Sequence, residues 1–178
     1  HPTPSISSRP ARFAPEPHRS RFRVRSLAFV LVAGFGALAA PQLTAAEVIK
    51  IGTLPGLRFD VSAFSVKPGT EVEIVFSNSD EMLHNLVVVK PGTRMAVVET
   101  AMATGAGLAD RDFVPDTPNV LWSTKIVPSG ASFTLKFTAP TALGEYPYVC
   151  TFPGHGILMF GAMIVTNDLR PPVMTPKE

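Results

Sequence analysis

From Glu47 onward the chain is a series of short segments in which apolar and polar side chains alternate, each cut off by turn residues. Val48–Thr53 alternates and runs out near Pro55 and Gly56. Leu57–Val61 alternates again, followed by Phe64–Val66 and the turn Lys67-Pro68-Gly69-Thr70. Glu71–Phe76 alternates cleanly before the turn Asn78-Ser79-Asp80, and His84–Val89 ends at Lys90-Pro91-Gly92. A period of two gives a strand one wet and one buried face, and proline with glycine sets the dihedrals of the turns between. The pattern resumes with Val120–Val127, Ser132–Thr138, Gly144–Cys150 and Gly161–Thr166. Pro147 assigns its strand an edge position or a bulge near its start. Residues 93–109 break the period, and residues 110–119, polar with two prolines, read as a loop. Met95, Val98, Ala101 and Met102 fall at i, i+3, i+6 and i+7, one face of a short helix in which the methionines pack, with Gly105 and Gly107 ending it. About eight strands with no internal repeat predict an all-β Greek-key antiparallel β-sandwich carrying one short helix inserted near 93–106.

The first 46 residues follow a different rule. Residues 1–25 are rich in Pro, Ser and Arg and read as a disordered leader. Arg19, Arg21, Arg23 and Arg25 precede the apolar run Leu27–Ala40, and small residues follow to Ala46. Positive, apolar, small is the order of a signal peptide, predicting export with cleavage after Ala46. The apolar run is short beside the roughly 20 residues of a bilayer span, so an uncleaved amino-terminal membrane anchor is the alternative. The expected domain is 47–167, with a loose Pro-rich tail at 168–178.

This division changes the meaning of the charge. The whole chain carries +2, but residues 1–46 hold six arginines and one glutamate; the remainder has ten basic and thirteen acidic side chains, net −3. A mildly acidic domain has no nucleic-acid footprint. The same cut leaves two histidines, His84 and His155, and one cysteine, Cys150.

Those three residues define the candidate chemistry. The stretch Cys150-Thr-Phe-Pro-Gly-His155-Gly-Ile-Leu-Met159 places a thiol, an imidazole and a thioether in ten residues, and His84 is the remaining imidazole. Two His and one Cys in a plane, with a long axial Met, is the donor set that suits a single copper ion. Taken singly, each residue has a plainer reading as a buried or surface side chain. The inference rests on their coincidence. Asn85 can tie the two ligand segments together, with Thr151 as a hydrogen-bond partner, and the Phe152 amide is free to donate to the Cys150 sulfur. One cysteine excludes both an internal disulfide and a two-cysteine binuclear copper centre.

Cys150-Thr-Phe-Pro-Gly-His155-x-x-Leu-Met159, together with Met82-Leu83-His84-Asn85, resembles the copper segments of azurins and auracyanins in the cupredoxin, or type 1 blue copper, family. The resemblance spans roughly Glu47 to Asn167. It implies a cupredoxin-like sandwich in which His84, Cys150 and His155 are strong ligands and Met159 the axial one. It also implies a periplasmic or membrane-associated carrier of single electrons. Leu83 stands where azurins place a glycine whose carbonyl approaches the metal, and the azurin disulfide has no counterpart here.

No acid/base or nucleophile–base pair is suggested, so the expectation is a carrier and not an enzyme. Its redox donor and acceptor would meet an apolar patch of Met82, Leu83, Phe152, Pro153, Gly154, Gly156, Leu158 and Phe160 around an exposed His155 ring. Periplasmic copper delivery or storage is the alternative with the same ligands, and a metal-free interaction sandwich is a third.

Overall fold

The computed structural model describes residues 45–176; the leader and the signal-like run lie outside the described residues. Among the described residues ten strands appear, two of them only two residues long. They are β1 (Glu47–Leu54), β2 (Arg58–Phe59), β3 (Val61–Val66), β4 (Glu71–Ser77), β5 (Val87–Val89), β6 (Val120–Ser123), β7 (Ser132–Thr138), β8 (Gly144–Val149), β9 (Phe160–Val165) and β10 (Val173–Met174). An α-helix, α1 (Arg94–Thr104), lies between β5 and β6.

The strands form two sheets, ordered β2-β1-β4-β7 and β10-β3-β9-β8-β5-β6. The alternation read from the sequence becomes the inner face of the first. Ile49 and Ile51 of β1 lie opposite Ile74 and Phe76 of β4, and Val72, Ile74 and Phe76 face Phe137, Leu135 and Phe133 of β7. These side chains meet Phe64, Val66, Tyr146, Tyr148, Met163 and Val165 of the second sheet in one core. At one side Trp122 of β6 stacks on Phe137 of β7, with ring centroids 4.3 Å apart, joining the two sheets. Tyr148 lies at the centre, edge-on to Phe59, with its hydroxyl donating to the Val61 carbonyl.

The sheets are mixed and not purely antiparallel: β1 runs parallel to β4, and β3 parallel to β9. Alternation reports which face is buried, not which way the neighbouring strand runs, so strand direction was beyond its reach. Pro147 sits in an interior strand. It lies opposite Ala162 of β9, but the β5 ladder stops at Tyr148, so on that side Pro147 has no partner strand needing its missing N–H.

The run Val87-Val88-Val89 shows no alternation because both its faces are covered. Val88 points into the sandwich core, while Val87 and Val89 join Val149, Val97 and Val98 under α1. The buried face of the helix is Val97, Val98 and Ala101. Met95 and Met102 are 41% and 48% exposed, so they do not pack as the spacing predicts. The chain also does not leave helical geometry at Gly105. It continues as a 3-10 turn over Gly105–Arg111 that buries Leu108. The segment 120–127 is a strand only as far as Ser123. The tail is not loose: Val173 and Met174 pair with β3, the Arg170 amide donates to Ser65 Oγ (2.7 Å), and the Thr175 amide to the Asp60 carbonyl (2.8 Å). Prolines disfavour regular structure in the tail, but an unpaired strand edge supplied backbone partners that composition does not reveal.

Candidate metal centre

His84 ends the loop that leaves β4, and that loop is wound by its own side chains. Asn78 Oδ1 accepts the Asp80 N–H (2.9 Å), and Asp80 Oδ1 accepts the Met82 N–H (2.9 Å), giving two Asx turns in succession. Asn78 Nδ2 donates to the carbonyls of Met82 (2.7 Å) and Val127 (2.8 Å). His84 then exchanges two backbone bonds with Val127, an isolated bridge and not the strand that the sequence predicts. The ring is therefore set by a strapped loop on one side and a bridge on the other.

Cys150 and His155 come from the β8–β9 connection. The Cys150 amide donates to the Met159 carbonyl (3.0 Å), closing the loop at its base. The His155 amide reaches back to the Phe152 carbonyl (3.0 Å), and the Leu158 and Met159 amides both donate to the His155 carbonyl. Gly154 makes this winding possible with φ of 85°, a conformation disfavoured for side chains with a Cβ. Helix α1 braces the loop from outside. A Cβ on Gly156 would lie 2.7 Å from Val98 Cγ2 and 2.8 Å from the Cys150 carbonyl. Arg94 Nη1 donates to the Gly156 carbonyl (3.1 Å), with its guanidinium 4.0 Å above the Phe160 ring centroid.

Asn85 links the two segments as the sequence suggests. Its Oδ1 accepts the Thr151 amide (2.8 Å), and its Nδ2 donates to Thr151 Oγ1 (2.9 Å) and to the Asp112 carbonyl (2.8 Å). The last bond enlists the segment after α1. There Asp112 and Phe113 both have positive φ, and Phe113 packs edge-on to Phe152, which in turn lies against His155. Asn78, Asp112, Phe113 and Arg94 were not singled out as site residues. Of these only Asn78 carries a local signal, the Asx turn.

The result is a triangle of donor atoms. His84 Nδ1 and His155 Nδ1 lie 3.2 Å apart, and Cys150 Sγ lies 3.8 Å and 3.6 Å from them. The point equidistant from all three is about 2.1 Å from each, close to the bond length of imidazole to a first-row metal, about 2.0–2.1 Å for zinc. Among the described residues this is the one cluster of His, Cys and acidic side chains able to hold an ion. Exposure is 1% for His84, 0% for Cys150 and 2% for His155. Met159 is fully buried in the same core cluster as Cys150.

The expectation of an exposed His155 ring is therefore wrong. The Nε2 atoms of both histidines are buried without a hydrogen-bond partner. The local sequence cannot show that Phe152 turns back against the ring. Gly156, expected in the apolar patch, is also buried; Met82, Leu83, Leu158 and Phe160 are exposed, together with Ile157, which was not anticipated.

Burial governs the electrostatics. It pushes the Cys150 thiol up to about 11, against the pull of backbone N–H groups of Asn85 and Phe152 on the sulfur. Burial lowers His155 to about 4, helped by the neighbouring His84 and opposed by Asp80. His84 is lowered by burial as well, again opposed by Asp80.

A mostly-β sandwich that buries two imidazole nitrogens and a thiol around one point defines a metal-binding protein, and soft sulfur beside imidazole fits copper. The model of copper binding proteins of the plastocyanin/azurin family matches residues 46–166, and the chain belongs to that family. It is 37% identical over 130 residues to auracyanin-B of Chloroflexus aurantiacus, covering 69% of this chain and 54% of that protein. It is 43% identical over 89 residues to outer membrane protein H.8 of Neisseria meningitidis, covering 48% of this chain and 46% of that one. The chain thus spans about half the length of these two relatives. Among solved structures, a dithionite-reduced auracyanin from the photosynthetic bacterium Roseiflexus castenholzii superposes with a TM-score of 0.61 at 34% identity. That match covers 69% of this chain and 99% of the other. Among the described residues no helix is long and apolar enough to cross a membrane.

The protonation states predict the proton balance of loading. With the thiol raised to about 11 and the His155 ring lowered to about 4, the copper-free site holds one proton that a metal must displace, the one on sulfur. From about pH 7 to about pH 10, copper binding should release one proton per chain. Toward pH 4 the number should climb as His155 becomes protonated. Calorimetric titration in buffers of different ionisation enthalpy measures this directly; no release at neutral pH would mean that the thiol is already ionised.

Proposed function

We propose that this chain is a type 1 blue copper protein that carries single electrons between redox proteins outside the cytoplasm, with His84, Cys150 and His155 as strong ligands and Met159 as the axial one. The observation that carries the reading is the triangle of Nδ1, Nδ1 and Sγ, closed to solvent and already spaced for an ion. Bound copper would supply a one-electron couple between its +1 and +2 states. The protein's part is to keep the donors in place in both states. Asn85 and Thr151 lock the two ligand segments together, Asn78 and Val127 hold His84, and Arg94 with Val98 holds the loop of His155. A frame so tied has little to reorganise on electron transfer. The Asn85 and Phe152 amides at the sulfur stabilise thiolate charge and raise the reduction potential.

With His155 covered, electrons would pass through the side chains around it. Met82 and Leu83 flank one ligand segment, and Ile157, Leu158 and Phe160 the other; all five are exposed. An apolar surface of this kind suits brief contact with a redox partner. Enclosure of all three donors favours retention of copper over its delivery. Export is supported by the signal-like order of residues 19–46 and by the likeness to a Neisseria outer membrane protein. The test is the optical and spin-resonance spectrum of copper-loaded protein: an intense visible thiolate-to-copper band is expected, and a colourless loaded protein would overturn the reading.

A further inference from the structure

We propose that Asp80 is a positioning residue for His84: its carboxylate keeps the ring proton on Nε2, leaves Nδ1 free to face the metal, and biases bound copper toward the doubly charged state. This deepens the copper reading above and rests on it. A neutral imidazole carries one proton, and a ring that binds through Nδ1 must hold it on Nε2. In ligand histidines that outer N–H normally donates to a carboxylate, carbonyl or water, which fixes the tautomer and raises ligand basicity. Here His84 Nε2 is buried and has no hydrogen-bond partner, and Asp80 Oδ1 stands 3.8 Å from it.

That carboxylate is placed by the fold. The Asp80 amide donates to Thr53 Oγ1 (3.1 Å) and Asn78 Oδ1 (2.9 Å), and Asp80 Oδ1 accepts the Met82 amide (2.9 Å). A carboxylate oxygen has capacity for a second donor. The side chain is 19% exposed, so water screens its charge only in part. Its influence reaches the whole site, since Asp80 favours positive charge on both His84 and His155. The neighbour Glu81 has the same formal charge but is exposed, and so provides an internal control.

The experiment compares Asp80→Asn with Glu81→Gln in the copper-loaded chain. Asparagine keeps an oxygen for the Met82 amide while removing the charge. Asp80→Asn should remain blue but shift the preference between Cu(I) and Cu(II) toward Cu(I) by about tenfold, a rise in potential of about 59 mV for one electron. Glu81→Gln should move it by less than about threefold. Asp80→Glu should recover part of the wild-type value. In the copper-free wild type, nitrogen chemical shifts should place the His84 proton on Nε2, and in Asp80→Asn a Nδ1-protonated population should grow. Equal potential shifts in Asp80→Asn and Glu81→Gln, or a His84 proton on Nδ1 in the copper-free wild type, would overturn the proposal. If wild type binds copper without a blue band, the copper reading fails by itself, and the nitrogen shifts still decide where Asp80 holds the proton. Should Asp80→Asn not fold, the wild-type shifts alone decide.

Discussion

Cys150→Ser is expected to give a folded, colourless protein. The substitution exchanges one atom at a fully buried position, so packing hardly changes. The serine hydroxyl can still accept the Asn85 and Phe152 amides that now point at sulfur. Burying a hydroxyl in place of a thiol should cost the copper-free protein only about 1–2 kcal/mol. Chemistry, in contrast, changes completely. A thiolate is a soft, polarisable donor whose charge can move onto the metal; a serine hydroxyl stays protonated at neutral pH and is a poor partner for Cu(I). The visible band should fall by more than about tenfold, and Cu(I) affinity by several orders of magnitude. Absorption during copper titration checks the first, competition with a Cu(I) chelator the second, and a thermal melt of the copper-free protein the third. A variant that keeps the band would place the chromophore elsewhere. A variant that unfolds would make Cys150 a packing residue first.

The legible parts of the fold and site were those encoded within a few residues of sequence. Val72, Ile74 and Phe76 reveal a buried face because side-chain direction alternates residue by residue. Cys150 and His155 stand out through donor chemistry at short spacing, and the fold brings both to one point with His84. The Asn85–Thr151 link could be foreseen because Asn85 adjoins His84 and Thr151 adjoins Cys150, so any fold that joins the ligands also joins their neighbours. The Phe152 amide was foreseeable for the same reason.

What stayed hidden depends on distant partners. The parallel pairing of β1 with β4 is set by how the chain crosses between sheets, and alternation is blind to it. The helix turns Val97 and Val98 inward, rather than Met95 and Met102, because Val87, Val89 and Val149 already form an apolar floor beneath it. The His155 ring is covered because Phe152 folds over it and Phe113, nearly forty residues earlier, backs Phe152. The strained pair Asp112 and Phe113 bears no glycine or asparagine mark in the sequence; positive φ there is held by a bond from Asn85 that only the folded chain reveals. Local pattern thus pointed to the candidate donors, while long-range contacts determine how they are enclosed.

That dependence makes Asn85→Leu the severest test of the frame. Leucine has the same number of side-chain heavy atoms as asparagine and the same branching, with bulkier methyl ends, so the fully buried site is refilled and no large cavity forms. Lost are the acceptor of the Thr151 amide, the donor to Thr151 Oγ1 and the donor to the Asp112 carbonyl. Each buried group left without a partner costs about 1–3 kcal/mol, so the copper-free protein should lose roughly 3–5 kcal/mol. Denaturant unfolding measures that loss. Asn85→Asp, which keeps the oxygen for the Thr151 amide but loses both donated bonds, should also be strongly destabilised, because it adds a buried charge. The Asp112 carbonyl is released too, and with it the restraint on Phe113, so Phe152 should no longer be held firmly over His155. In copper-loaded Asn85→Leu the blue band should persist, because no ligand is touched, but copper should exchange faster and the His155 ring should become open to solvent. Exchange with a chelator and solvent-proton relaxation at the metal read those two effects. If Asn85→Leu were as stable as wild type, the bonds between the ligand segments would not be what encloses the site.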